Sequence, residues 1–141
     1  MPEVIDPLTA AVTVAAKQLT AFLDDALSPL GLTASNYYFI LQIAQHETVS
    51  QEALFRLTHL TSSNVTRRLA QLTAAGLITK QRAPEDGRAF VTALTPAGRA
   101  LVPQLTATLA AAQAEAFAGL DEGQRQALLA MLQHVSRNLE A

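Results

Sequence analysis

Ser62, Ser63, Asn64, Thr66 and Arg67 fall within six consecutive positions, and each is a type that hydrogen-bonds to a base edge or a phosphate. Short hydroxyl and amide side chains reach base edges when they occupy the first turns of a helix, where unpaired backbone N–H groups also approach phosphate. Arg67 and Arg68 are adjacent and therefore about 100° apart around a helix, so they do not share one task. Arg67 is expected in the groove of a duplex, and Arg68 on a phosphate or in an ion pair. The bland alternative is a solvated helix face with an ordinary N-cap.

A second set lies downstream. Arg88 follows Asp86-Gly87, and a guanidinium at a narrow tip suits a minor groove, whose walls concentrate negative potential. Asp86 is expected to orient it. A plain hairpin carrying a surface ion pair, worth about 0–1 kcal/mol, is the alternative. Lys80 and Arg82 precede the tip and are expected on phosphates, which fix position without reading sequence.

These residues need a scaffold, and the apolar spacing supplies one. Leu8, Val12, Ala15, Leu19, Phe22, Leu23 and Leu27 recur at helical spacing behind Pro7, predicting a helix over residues 7–27. Ser28-Pro29-Leu30-Gly31 breaks it. Thr33 is then expected to cap a second helix presenting Tyr37, Ile40, Leu41 and Ala44. Ser50 caps a short third helix with Ala53, Leu54 and Leu57, and a polar turn leads to a fourth with Val65, Leu69 and Leu72, closed by Gly76. Two short helices around a tight polar turn form a helix-turn-helix.

Beyond Gly76 the residues 77–82 and 89–94 favour strands, and Asp86-Gly87 between them is a hairpin signal. Thr95-Pro96 opens a long helix with Leu101, Leu105, Leu109, Ala112 and Ala116 on one stripe, in which Pro103 is expected to cause a kink. Asp121 and Gln124 have the spacing of a capping box before a last helix with Leu128, Leu132, Val135 and Leu139.

Composition narrows the possibilities. With 50% hydrophobic residues in 141, the chain has enough apolar surface for a core, so disorder is a poor reading. There are no cysteines, which excludes disulfides, thiolate metal sites and thiol redox switches within these residues. The net charge of −2 argues against an acidic partner until its distribution is considered. Residues 33–99 hold seven cations and four anions, 7 − 4 = +3, whereas the flanks hold three against eight, 3 − 8 = −5. A basic centre between acidic ends suggests a local anion-binding face. His46, His59 and His134 are scattered and near no dense carboxylate cluster, so no metal or cofactor is expected. No nucleophile motif, phosphate loop or paired carboxylates point to an enzyme. The first residues lack a signal pattern, and the uncharged run 26–46 is broken by Ser28-Pro29 and Gly31, so a cytoplasmic chain without a membrane span is expected.

The order of elements resembles the MarR family of winged helix-turn-helix transcription regulators, over nearly the whole chain. The resemblance is carried by Gly31-Leu32-Thr33 leading into Tyr37, by Ser63-Asn64-Val65-Thr66-Arg67-Arg68-Leu69 with Leu72, by Gly76-Leu77-Ile78, by Asp86-Gly87-Arg88, and by Leu94-Thr95-Pro96-Ala97-Gly98-Arg99. Phe55 and His59 depart from it, standing where the family has a small residue and a glycine. It implies a mainly α fold with a small β-wing, in which a winged helix-turn-helix lobe over residues 33–94 is joined to a dimerisation region formed by residues 1–32 and 95–141. It further implies a homodimer that binds double-stranded DNA at a pseudo-palindromic operator, as a repressor released by a small-molecule effector. Leu19 and Phe22 on the first helix, facing Tyr37, Tyr38 and His46 on the second, are the candidate effector crevice, with core packing as the alternative. A winged-helix module that binds protein and has no DNA affinity is the competing functional reading.

Overall fold

The structure is a computed structural model that describes residues 6–58, 62–83 and 89–140, including all side chains in these ranges except those of Thr58, Ser62 and Ser63. Among the described residues six helices and three strands follow in the order α1 (Pro7–Leu27), a 3-10 turn (Ser28–Leu30), α2 (Tyr37–His46), β1 (Thr48–Ser50), α3 (Gln51–Thr58), α4 (Ser62–Ala74), β2 (Ile78–Arg82), β3 (Phe90–Leu94), α5 (Pro96–Ala116) and α6 (Glu122–Asn138). The fold is mainly α with a small antiparallel sheet of order β1-β3-β2.

The helix ends are set by side chains. Asp6 accepts from the Thr9 N–H ahead of Pro7, and the Thr9 side chain, followed by this N–H, lowers its carboxyl pKa from the ordinary value. Ser50 accepts from Ala53 N–H at 3.0 Å and starts α3, as its spacing predicts. At α6, Asp121 and Gln124 exchange side-chain and backbone hydrogen bonds at 2.8 and 2.9 Å, a complete capping box. Gly76 takes φ +77° after α4, while Gly76 N–H donates to Thr73 C=O and Leu77 N–H to Leu72 C=O, which closes α4 with a Schellman motif.

Two expectations are corrected. Thr33 does not cap α2, because Asn36 Oδ1 takes its N–H at 2.8 Å and its carbonyl accepts from Asn36 and Tyr37, forming a turn that delays the helix to Tyr37. The buried face of α2 is accordingly Phe39, Ile40 and Ile43, with Ala44 exposed. The second correction is β1, a strand the sequence reading omits. It pairs with β3 in the register Thr48↔Ala93, Val49↔Thr92, Ser50↔Val91, and the buried Thr92 hydroxyl donates to Val49 C=O at 2.8 Å. The chain enters β1 through Glu47, which has φ +56°.

One core joins all of this. Leu27, Leu32, Phe39, Ile40 and Ile43 meet Leu54 of α3, Val65, Leu69 and Leu72 of α4, Ile78 and Leu94 of the sheet and Leu105 of α5. At about 1.5–3 kcal/mol per fully buried large apolar side chain, this cluster is what fixes α4 against the sheet. The terminal helices differ. Among the described residues α6 buries none fully and α1 only Leu27, leaving Leu8, Val12, Leu129, Met131, Leu132 and Val135 at 40–74% exposure. No helix among the described residues is long and apolar enough to cross a membrane.

Candidate nucleic-acid interface

The sequence of α4 divides the helix lengthwise. Val65, Leu69 and Leu72, at i, i+4 and i+7, are 1–2% exposed and face the core. Thr66 and Arg67 therefore emerge on the opposite side and are exposed, with Asn64 half-buried beside them. Ser62 and Ser63 form the first turn of α4. Arg67 Nη2 donates to Asn64 Oδ1, three residues back. Thr66 Oγ1 accepts from Gln51 Nε2 at 3.1 Å, a bond that ties the start of α3 to the exposed side of α4. The Oε1 of the same Gln51 is buried without a hydrogen-bond partner.

Arg68 falls on the core side with Val65, Leu69 and Leu72, three residues after the first, and is half-buried. Its Nε is buried and unpaired. The two arginines thus have different surroundings, as their angular separation predicts.

In the ribbon, Arg82 pairs across to Phe90 and Lys80 to Thr92. Cross-strand partners share a face, and this face is core at its root, where Ile78, Thr92 and Leu94 are buried. Towards the tip it carries Phe90, with Lys80 Nζ 4.5 Å and the Arg82 guanidinium 5.5 Å from the ring centroid. Beyond the Arg82–Phe90 pair, Ala83 N–H donates to Ala89 C=O at 2.9 Å. Asp86 and Arg88, the candidate tip pair, and His59 in the helix-turn-helix lie outside the described residues.

Between α3, the start of α4 and the ribbon runs a cleft of about 450 Å³, walled by Gln51, Phe55, Val65, Lys80 and Phe90. Phe55 is 42% exposed and borders this cleft, so its bulk is accommodated outside the core. Glu52 stands on the cleft rim and is held by Arg56 at 3.1 Å.

The five candidate effector residues do not come together. Leu19 and Phe22 line a cleft of about 380 Å³ with Ala15, Gln18 and Phe117. Tyr37 packs half-buried against the core, and burial raises its phenol pKa above the ordinary value, with Tyr38 adding to the shift. Tyr38 is exposed, and His46 borders a different cleft with Val49, Ala53 and Leu57. The reason is geometric: Tyr37 and His46 are the two ends of α2, about 13 Å apart along the helix at 1.5 Å per residue. The cleft wall that the sequence reading missed is Phe117, just past the end of α5, whose spacing gave no signal because it lies beyond the helical stripe. Among the described residues no group of His, Asp and Glu forms a metal site.

A model of the MarR family matches residues 30–89. The chain is 32% identical over 108 residues to the HTH-type transcriptional repressor Rv2887 of Mycobacterium tuberculosis, covering 77% of this chain and 78% of that protein. Its fold is similar to that of Bordetella bronchiseptica BpsR, whose DNA binding is regulated by 6-hydroxynicotinic acid, with TM-score 0.87, 21% identity and 96% and 97% of the two chains covered. A mutant Escherichia coli MarR in complex with operator DNA gives TM-score 0.83 at 22% identity, covering 92% and 93%.

Proposed function

Because the chain belongs to the MarR family and is a DNA-binding transcription regulator, we propose that it acts as a homodimeric repressor that reads a pseudo-palindromic operator and is released by a small molecule. The observation that carries this is the placement of half-buried Asn64 and exposed Thr66 and Arg67 on α4 away from its core face, with Lys80 of the ribbon walling a cleft that α4 borders through Val65. A helix with such an edge enters a major groove, and a ribbon beside it reaches the neighbouring minor groove. In this reading residues 33–94 form the DNA-binding lobe, and residues 1–32 and 95–141 form the dimerisation region.

Each residue then has a role. Ser62, Ser63, Asn64, Thr66 and Arg67 meet base edges and nearby phosphates, Arg68 braces the helix from its inner side and reaches phosphate with its outer nitrogens, and Lys80 and Arg82 contact backbone. Arg88, oriented by Asp86, enters the minor groove. The cleft at Leu19, Phe22 and Phe117, between α1 and the end of α5, is the place for an effector. An isologous dimer presents two copies of α4 to half-sites about 10–10.5 base pairs apart. The reading gives the chain no reaction to catalyse and places it in the cytoplasm.

Selection of bound fragments from a random duplex pool, followed by anisotropy titration of the enriched sequence across a salt series, tests it. The expected result is an inverted repeat bound with a steep salt dependence. Enrichment of no sequence, together with salt-insensitive affinity, would favour a protein-binding module instead.

A further inference from the structure

We propose that Phe90 is a positioning residue for DNA binding: its ring is a platform that holds Lys80 and Arg82 in place over the cleft between α4 and the ribbon. The inference rests on the reading above, in which those two cations contact phosphates. Among the described residues Phe90 is the last apolar one on the core face of the sheet as the ribbon leaves the body, opposite Arg82 and diagonal to Lys80. Lys80 Nζ at 4.5 Å and the Arg82 guanidinium at 5.5 Å from the centroid are both within the 6 Å reach of a cation–π contact. The half-buried ring and Lys80 together wall the cleft facing Val65 and Gln51.

The position of this cleft gives the platform its use. With α4 in a major groove and the ribbon tip in the adjoining minor groove, the sugar–phosphate strand separating the grooves passes over the cleft. Lys80 on its wall and Arg82 on the same ring meet that strand. Glu52, the carboxylate on the same rim, is engaged by Arg56, which moderates its repulsion of phosphate.

The ring contacts exist before and after binding, so their own energy largely cancels in the affinity. What remains is ordering. A long cationic side chain that must be immobilised at an interface loses rotamer freedom on binding, and a side chain already lodged on a ring has lost much of it beforehand. Removing the ring is therefore expected to weaken DNA binding about 5- to 50-fold while leaving the number of cations, and so the salt slope, nearly unchanged.

The test uses the full chain and a random-sequence duplex of about three helical turns, titrated by anisotropy across a salt series. Phe90→Leu should lose affinity in the range given, and Phe90→Tyr and Phe90→Trp should retain it. In a Lys80→Ala, Arg82→Ala background the same Phe90→Leu change should cost nothing further, an outcome that a merely structural role for Phe90 would not produce. If the Lys80→Ala, Arg82→Ala protein keeps the parent's affinity and slope, the phosphate reading falls and the proposal with it. If that protein loses affinity but Phe90→Leu still costs the same factor in it, the phosphate reading stands and the platform is overturned. A measurement on the unaltered protein covers poor folding of the leucine variant: the Lys80 ε-methylene protons should show an upfield ring-current shift, free and with duplex bound, and their absence from that region would also overturn the proposal.

Discussion

Arg67 reaches back along α4 to donate from Nη2 to Asn64 Oδ1, so the two side chains at the exposed start of this helix form one hydrogen-bonded unit. An asparagine that reads adenine uses both its amide oxygen and its NH2 group, and an arginine that reads guanine uses two N–H groups. Neither can do so fully while they hold each other. On the operator, Asn64→Ala and Arg67→Ala should each cost about 1–3 kcal/mol and relax preference at particular positions. The double variant should cost more than the sum, by about 0.5 kcal/mol or more, because each single change releases the other side chain to read its base fully, a gain the double variant lacks. Anisotropy titrations in a double-mutant cycle check this. Strict additivity would show two independent contacts, and uniform weakening on every sequence would show that both touch only backbone.

The exposed apolar residues of the terminal helices carry the next prediction. Leu129, Met131, Leu132 and Val135 of α6 are 44–59% exposed, a patch that a second copy would cover. Sedimentation should show a dimer at micromolar concentration, and Leu132→Glu should shift it to monomer with the circular dichroism of the lobe retained. Operator affinity should fall steeply in that variant, since a monomer engages one half-site. A monomeric parent protein with full operator affinity would refute the proposed dimer.

Gly98 occupies the first turn of α5 against Leu77, and a Cβ there would stand 2.1 Å from the Leu77 carbonyl oxygen. Glycine to alanine within a helix normally stabilises by about 0.5–1 kcal/mol. Here the sign should reverse. Leu77 C=O also accepts Thr95 N–H at 3.0 Å, so it cannot retreat without loss, and Gly98→Ala should destabilise by about 1–3 kcal/mol or more. The midpoint of urea unfolding, with an unchanged slope, is the measurement. A midpoint equal to or above the parent's would contradict the close approach.

Tyr37 predicts an alkaline limb. Burial, and then the neighbouring Tyr38, raise its phenol pKa above 10.0, so the folded state favours the neutral ring. The unfolded chain ionises first. The stabilisation is thus fully present below about pH 10 and is lost as pH rises through the folded-state value. Tyr37→Phe should flatten this decline between about pH 9 and pH 11, read as urea midpoints at each pH. An unchanged decline would place the phenol in water.

Much of the fold is legible in the residues because its signals are local. The Ser50 and Thr95 caps, the Asp121–Gln124 box and the stop at Gly76 depend on neighbours within four residues, and the structure has each where the sequence puts it. β1 is different, since an alternation over three residues is too short to signal a strand and these are made one by β3, more than forty positions away. The start of α2 was misplaced because Asn36 competes for the Thr33 N–H that an N-cap reading leaves free. Of the candidate interface, the polar edge of α4 follows from the spacing of Val65, Leu69 and Leu72. The stacking of Lys80 and Arg82 on Phe90 needs strand register, which no single-strand pattern contains. The separation of Tyr37 from His46 follows from the length of α2 alone, whereas the cleft that Leu19 and Phe22 share with Phe117 depends on how α1 and α5 pack, a tertiary fact.

The Thr95 hydroxyl donates to Gly76 C=O at 2.6 Å and accepts from Gly98 N–H at 3.0 Å, while Thr95 N–H bonds Leu77 C=O, so the segment that closes α4 and the first turn of α5 are clasped at one point. Mechanically this makes α4 the output arm of a lever whose input arm is α5. The thirteen residues of α4 span about 20 Å, so a tilt of roughly 10° transmitted through the clasp carries its Ser62 end about 3 Å sideways without unfolding a single turn. In a dimer the two arms swing in opposite senses, doubling the displacement between them. If the sheet and α3 turn with α4 as one body, so that Val65, Leu69 and Leu72 keep their packing, a rotation of this size takes both arms out of step with the helical repeat of DNA.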